Sequence, residues 1–589
     1  MDAISDFKFI NEQHNYTIMK QHIFRLSLLM TLLMVMSCSE SFLDVSPLGT
    51  VTEESLSTPT NADALVISAY SYLAESSFFG NYDDFIFGAI RSDDAYKGGA
   101  GPADVANWHP LELYNTITPD NGNLAMWSTI YTKISRCNKA LVVLNKLTDA
   151  DMPLRQTRIG EMRFLRGHYM FILKKMFKYP VYFDETISLD DLKKLSNKTY
   201  TNDQLWDKIA DDFQFAYDNL PPNQSQKGRA NKYAAAAYLA KTRLYQAYGQ
   251  DENHNVTSIN ATKLQEVVAM CDVVINSGVY QLFDNFGKNF TYGYDNGVES
   301  IFAIQYSIND GVGGGKLNLV HMLNYNMAPG YGCCWFNIPS QNLVNGYRTV
   351  NGLPTDDFNS ITMQDAVDFQ TNTVDPRLDH TVGIPTHPFK YKLDFVYTTG
   401  WARTPAVYGN FSSMKETQLP TSPSFKAQGP FFGTSKNQDI LRYDDVLLMK
   451  AEALIELGQQ NAALPLINAI RTRAANAAWL KYADNSTFSN YNIVTYQDGV
   501  NCTWTQAFAR NALRWERRLE FAMESPRFFD LVRWGIAAET LNGYLTSEST
   551  KRSYLAAGLF RKNQDEYLPI PNTEITLSEK LYVQNTGTW

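Results

Sequence analysis

The chain has 589 residues, with 52 Lys and Arg against 61 Asp and Glu, for a formal net charge of -9. That acidic balance, with no clustered Lys and Arg, excludes a nucleic-acid partner, because neutralising phosphates requires a basic face. Aromatic residues make up 13% of the chain, as 34 Tyr, 33 Phe and 10 Trp, more than an ordinary core needs. Some rings are therefore expected to meet a ligand while most seal helix pairs.

Residues 1–18 are polar and patternless and read as an upstream extension, with Met19 as the functional start. Residues 19–37 read as a secretory signal: Lys20 and Arg25 precede the apolar run Leu26 to Met36, and Val35-Met36-Ser37-Cys38 forms a lipobox. The run is well short of the roughly 20 residues that cross hydrocarbon, which argues against a membrane-spanning helix. Cys38 is then the lipidated first residue of the mature protein, and each buried methylene of its acyl chains contributes about 0.8 kcal/mol of anchoring.

From residue 38 to 298 the periodicity predicts an N-terminal helical scaffold with an irregular insert near 78–120. Met126, Ile130, Ile134, Cys137, Leu141 and Leu144 recur at helical spacing, as do Met162, Leu165, Tyr169, Ile172 and Met176, giving one antiparallel pair. Leu205, Ile209, Phe213, Ala216 and Leu220 precede Pro221-Pro222, and the alanine-dense Asn231 to Tyr248 segment completes a second pair. Leu264 to Ile275 adds another helix. Between 299 and 438 the helical rhythm fades into Gly, Pro, Asn and aromatic residues with short strand-like runs such as Ser300 to Tyr306, so a loop-rich ligand-binding lobe is expected there. Residues 439–589 return to helix: Asp444 to Leu457 and Ala462 to Ala475 form a repeat-like pair broken at Gly458, where a left-handed cap is wanted. The run Ala451 to Gly458 has the rhythm of a tetratricopeptide unit. The predicted fold is mainly α: a tetratricopeptide-like superhelix of about four helix pairs, interrupted by long insertions and carrying an irregular lobe with short strands.

Cys137 and Cys271 fall on apolar helical stripes and read as buried. Cys333 and Cys334 are adjacent in the loop Pro329 to Phe336, and in an exported protein they form either a vicinal disulfide or two free thiols. The eight His residues show no paired helical spacing, so no metal or other cofactor is expected.

Several segments match a known family. Phe42-Leu43-Asp44-Val45-Ser46-Pro47 follows the lipobox, Glu161 to Tyr169 resembles an early helix motif, and Leu441 to Ala453 a central one. Glu516-Arg517-Arg518-Leu519-Glu520-Phe521 with Arg527 to Gly535, and Tyr567-Leu568-Pro569-Ile570-Pro571, complete the order. Together they resemble the SusD/RagB family of Bacteroidetes outer-membrane nutrient-binding lipoproteins. The resemblance implies a lipid-anchored protein facing the cell exterior, which captures a glycan and hands it to a SusC-like TonB-dependent barrel beneath it, without catalysis. Two turns depart from the family pattern: Lys178-Tyr179-Pro180 and Ser525-Pro526 each stand where a Gly is usual. The family's sugar contacts lie on variable loops outside these motifs, so none is carried over.

Binding residues are expected from chemistry instead. Sugar rings stack their C–H faces on aromatic rings, and their hydroxyls need carboxylate, amide or guanidinium partners. Trp and Tyr on Gly-rich loops therefore stand out: Trp108, Tyr331, Trp335, and Trp401 with Arg403 beside it, Trp335 first among them. Asp93, Asp94 and Tyr96 supply polar candidates. The acids and arginines from Glu516 to Arg527 read as a salt-bridged lattice on one helix, not as an acid–base device. Two other classes compete with a glycan binder: a lipid-anchored glycoside hydrolase, and a surface lipoprotein that binds protein or peptide. No Gly-x-Ser-x-Gly elbow, His-Glu-x-x-His helix or phosphate loop supports an enzyme.

Overall fold

The two longest predicted helices are α2, Asn121–Lys146, and α3, Arg155–Phe177, which pack on each other and on the N-terminal helix α1, Pro59–Ser71. Met126, Ile130, Ile134, Cys137, Leu141 and Leu144, the stripe read from spacing, are all fully buried. The computed structural model describes residues 19, 20, 22, 24 and 25, 57–74, 85–118, 121–311, 316–429 and 431–589. The lipobox with Cys38 and the 42–47 motif lie outside the described residues. Met1–Ser57 and Thr58–Trp589 are separate units, and all that follows concerns the second. Among the described residues no helix is long and apolar enough to cross a membrane.

After α3 come α4, Asn202–Asn219, opened by a Thr201–Gln204 capping box, and α5, Lys232–Ala247. Ala234 to Ala237 are fully buried in α5, and these small side chains let α4 and the next helix, α6, Ala261–Ile275, approach its two sides. The chain then leaves the helices and returns in α7, Tyr443–Glu456, and α8, Gln460–Ala474, joined at Gly458, whose φ of +75° is the left-handed cap that its sequence position predicted. Helix α7 packs on both α6 and α8, so the stacking resumes across the excursion between 276 and 442. The superhelix thus continues across the long insertion, in keeping with the predicted fold. The reason is that the excursion closes on itself: β2, Ser300–Ile304, pairs antiparallel with β6, Gln438–Arg442. The Tyr443 N–H donates to Glu299 O at 2.9 Å, so the departing and returning chains stand side by side.

Two further ladders shape the irregular parts. Strand β1, Ala95–Gly98, pairs antiparallel with β3, Phe336–Pro339, tying the 85–118 insert to the lobe. Strands β4, Phe425–Gln428, and β5, Phe431–Thr434, pair antiparallel within the lobe.

Helix α9, Gln506–Phe521, packs on α7 and α8, with Leu513 in a cluster with Leu448, Ile455, Ile467 and Ile470. Its charged face is buried and reaches every neighbouring segment. Arg377 of the lobe, itself fully buried, contacts Asp375 at 2.7 Å and Glu516 and Glu520 at 3.1 Å each. Glu516 also meets Arg471, and Glu520 meets Arg473. Arg517 bridges Asp445 at 2.9 Å and Asp530 at 2.7 Å. The lattice read from sequence is therefore present, but not on one helix as expected. Met523 and Ser525 take positive φ values of 69° and 80°, and Pro526 opens a new helix, α10, Pro526–Arg533. The first helix ends at Phe521, where Ala522 leaves the helical region at ψ 134°, and the fixed φ of proline suits Pro526 to the first position of the next. Helix α11, Ala537–Glu548, follows.

Both departures from the family's glycine pattern fall at positive φ. Ser525 is buried, and Gly88 approaches it so closely that a Cβ at 88 would lie 2.1 Å from the Ser525 carbonyl oxygen. Among the described residues no hydrogen bond to the Ser525 side chain offsets its left-handed backbone. Ser525→Gly is therefore expected to stabilise the protein by about 0.5–1 kcal/mol, the difference between a left-handed penalty of about 1–2 kcal/mol and the greater entropy that glycine loses on folding. A rise in the midpoint of urea unfolding at unchanged slope checks this, and an unchanged or lower midpoint contradicts it. Lys178, at φ 57°, differs: its buried ammonium donates to Asp251 O and lies 2.8 Å from His254 Nδ1. Burial lowers Lys178 to about 8, and burial together with the Lys178 charge lowers His254 to about 3. There the side chain accounts for the residue.

Candidate functional site

Most residues singled out from sequence are interior. Trp335 is fully buried: the β1–β3 ladder carries it inward, Gly99 N–H donates to its carbonyl at 2.8 Å, and its indole N–H donates to Phe411 O at 3.1 Å. Trp108 is 2% exposed, held edge-on between Phe85 and Phe336. The Tyr331 hydroxyl donates to Gln418 O at 2.5 Å while its ring packs among Tyr325, Phe425 and Phe432. Tyr96 is fully buried, donates to Glu548 and accepts from the Gln341 N–H at 3.0 Å. Asp93 is clamped by Arg527 at 2.8 Å and Arg518 at 3.1 Å, and Asp94 by Arg518 at 3.1 Å. Burial opposes ionisation of Asp93, but Arg518 and Arg527 outweigh it and hold the carboxyl well below the usual range. Trp335, Trp108, Tyr331, Tyr96, Asp93 and Asp94 thus stand as interior supports and not as surface contacts, because each ring is enclosed and the carboxylates, the two hydroxyls and the Trp335 indole are satisfied inside the protein; the Trp108 indole N–H alone of these groups is buried with no hydrogen-bond partner among the described residues.

Trp401 and Arg403 are at the surface. Trp401 ends a short 3-10 turn, Thr399–Trp401, that packs against the lobe's aromatic cluster of Tyr325, Tyr331, Phe389, Tyr397, Met414 and Phe432. Cys333, Phe395, Trp401 and Phe425 cover that cluster and stay half-buried. The Trp401 ring lies 4.7 Å from that of Phe395 at an interplanar angle of 40°, and it meets Tyr397 edge-on at 5.6 Å. The buried rings beneath fix the tilt of this half-buried pair.

Three loops meet at this rim. Met327 N–H donates to Trp401 O at 2.9 Å, and exposed Arg403 donates to Asp104 Oδ2 at 2.9 Å and to Cys334 O at 3.3 Å. Thr404 donates to Gly99 O at 3.0 Å. Cys333 and Cys334 are bonded to each other, so the loop that Arg403 touches is cross-linked within itself. The result is a firm surface on which two rings stand beside a carboxylate–guanidinium pair. Such a surface can stack an apolar ring face and offer both donors and acceptors to hydroxyls, with little ordering cost on binding. Phe395 and Asp104 were missed in the sequence. Phe395 lies in a run with neither helical nor strand period, and only the fold brings Asp104 to Arg403.

A helical-repeat platform with a loop-built surface site defines the class of protein. Residues 298–588 match a family model described as the SusD family, and residues 41–244 one described as "Starch-binding associating with outer membrane". The chain belongs to the SusD/RagB family. It is 24% identical over 582 residues to SusD-like protein P2 of Formosa agariphila, covering 96% of this chain and 99% of that one. A SusD-like protein from Bacteroides fragilis shares the fold with a TM-score of 0.68 at 20% identity, covering 91% of this chain and 99% of its own. A surface glycan-binding protein A from Bacteroides thetaiotaomicron, solved in complex with laminarihexaose, shares it with a TM-score of 0.63 at 20% identity, covering 90% and 99%.

Proposed function

We propose that this protein is a non-catalytic glycan-binding lipoprotein of the outer-membrane surface, which captures oligosaccharide at the Trp401–Phe395 rim and passes it to a SusC-like TonB-dependent barrel. On this reading residues 19–37 are a signal removed before Cys38, whose acyl chains hold the protein to the outer membrane facing outward. The observation that carries the reading is the half-buried ring pair set beside the Arg403–Asp104 pair on a firm loop junction. The company the fold keeps supports it: structural relatives include a laminarin-binding SusD-like protein and one solved with laminarihexaose. Cleavage of a glycosidic bond needs two carboxyls poised across it, and the adjacent acids of this chain favour binding instead. Asp93 is paired with Arg518 and Arg527, Asp94 with Arg518, and Asp357 bonds Thr355 and Arg348, so each of these carboxyls is engaged within the protein.

The test is incubation of purified protein with a panel of neutral polysaccharides, following retardation in affinity gels and release of reducing ends. Retention without new reducing ends is expected. Turnover would replace the reading with a hydrolase, and indifference to the whole panel with a protein- or peptide-binding lipoprotein. Isolation of the lipidated protein from outer membranes is expected to bring a large barrel with it.

A further inference from the structure

A second concavity lies away from the rim, between α9, α11 and the 356–359 segment, with a volume of about 480 Å³. That is within the range of small-molecule sites, about 300–1,000 Å³. The half-buried ring of Trp515 lines it, with Phe358 edge-on at 5.2 Å and 82°. Asp356, exposed, accepts from Asn511 Nδ2 at 3.3 Å and from the Trp515 indole at 3.4 Å, both long and open to competition from a ligand. The floor is made of Asp93 with Arg518 and Arg527, charges already spent on each other. The remaining charged residues of the lining are Asp356, Glu539 and Arg514, of mixed sign, and Arg514 Nε has no hydrogen-bond partner among the described residues. A lining with an open ring, amides and both signs of charge suits a neutral polyhydroxylated ligand better than an anion or a cation.

One residue of the wall stands out. Gly543 lies inside α11, where glycine costs about 1 kcal/mol relative to alanine. Packing does not require it, because a Cβ at 543 would meet nothing within 4 Å. Glycine there keeps the wall low.

We propose that this cleft is a second saccharide subsite, taking one or two neutral sugar units against Trp515. For the class of ligand alone, this rests on the glycan-capture reading. The two sites hold different tryptophans, so they can be read separately. Full-length protein labelled with 5-fluorotryptophan is titrated with laminarihexaose, cellohexaose and maltohexaose, and Trp515→Phe and Trp401→Phe assign the two fluorine resonances. The Trp515 resonance is expected to shift with at least one sugar. In Gly543→Leu, whose side chain fills open space, that shift should vanish or need at least tenfold more sugar, while Gly543→Ala keeps it. An unmoved Trp515 resonance with every sugar overturns the subsite, as does an unchanged Trp515 response in Gly543→Leu. Movement of Trp401 alone would leave the rim site standing without the cleft. Movement of Trp515 alone would support the cleft and sink the rim assignment.

Discussion

Arg377→Ala is expected to destabilise the protein by about 3–5 kcal/mol, the usual consequence of removing one partner from a buried ion pair. Arg377 is fully enclosed and faces Asp375, Glu516 and Glu520. Glu516 and Glu520 would keep Arg471 and Arg473, but Asp375 has no other ion-pair partner among the described residues and would be left charged in the interior. The loss should be structural as well as energetic, because this contact joins the 299–438 lobe to α9 of the superhelix. Urea unfolding with the Arg377→Lys variant alongside checks it. Lysine restores the charge but cannot fork towards three carboxylates, so an intermediate loss is expected. A change below about 1 kcal/mol for Arg377→Ala would show that the lattice is not what fixes the lobe.

Trp401→Ala is expected to weaken oligosaccharide binding about 10- to 100-fold, as removing an aromatic anchor from the centre of a site commonly does. The ring is already oriented by Phe395 and Tyr397, so little of its stacking energy is lost in ordering it on binding. The informative control is Trp335→Phe. Trp335 is enclosed and its indole serves Phe411 O, so that substitution should lower stability while leaving the affinity of folded protein unchanged. Isothermal titration of the two variants separates the outcomes. Equal loss of affinity in both, with both folded, would contradict the placement of the site at the rim.

The stripe from Met126 to Leu144, the left-handed cap at Gly458 and the burial of Cys137 and Cys271 were all legible, because each depends on a local rule: helical period, glycine's access to positive φ, or apolar neighbours. The lattice was legible as charge alternation, but not its partners: Arg377, Arg471 and Asp445 are brought to α9 only by the fold. The rim residues were the least legible. Trp335 and Trp401 stand in similar loops rich in Gly and aromatics, and nothing local distinguishes the ring that plugs the interior from the ring that faces out.

The sequence by itself determined that this is a helical superhelix of the SusD/RagB family with a loop-rich lobe, since periodicity and ordered motifs are properties of neighbouring residues. Which aromatic rings reach solvent, which acids are neutralised, and that the stacking of helices continues across the lobe were decided by tertiary structure alone. Exposure and pairing depend on what the rest of the chain places against a side chain. The β1–β3 and β2–β6 ladders, formed between segments far apart in sequence, turn Trp335 inward and bring α7 back onto α6.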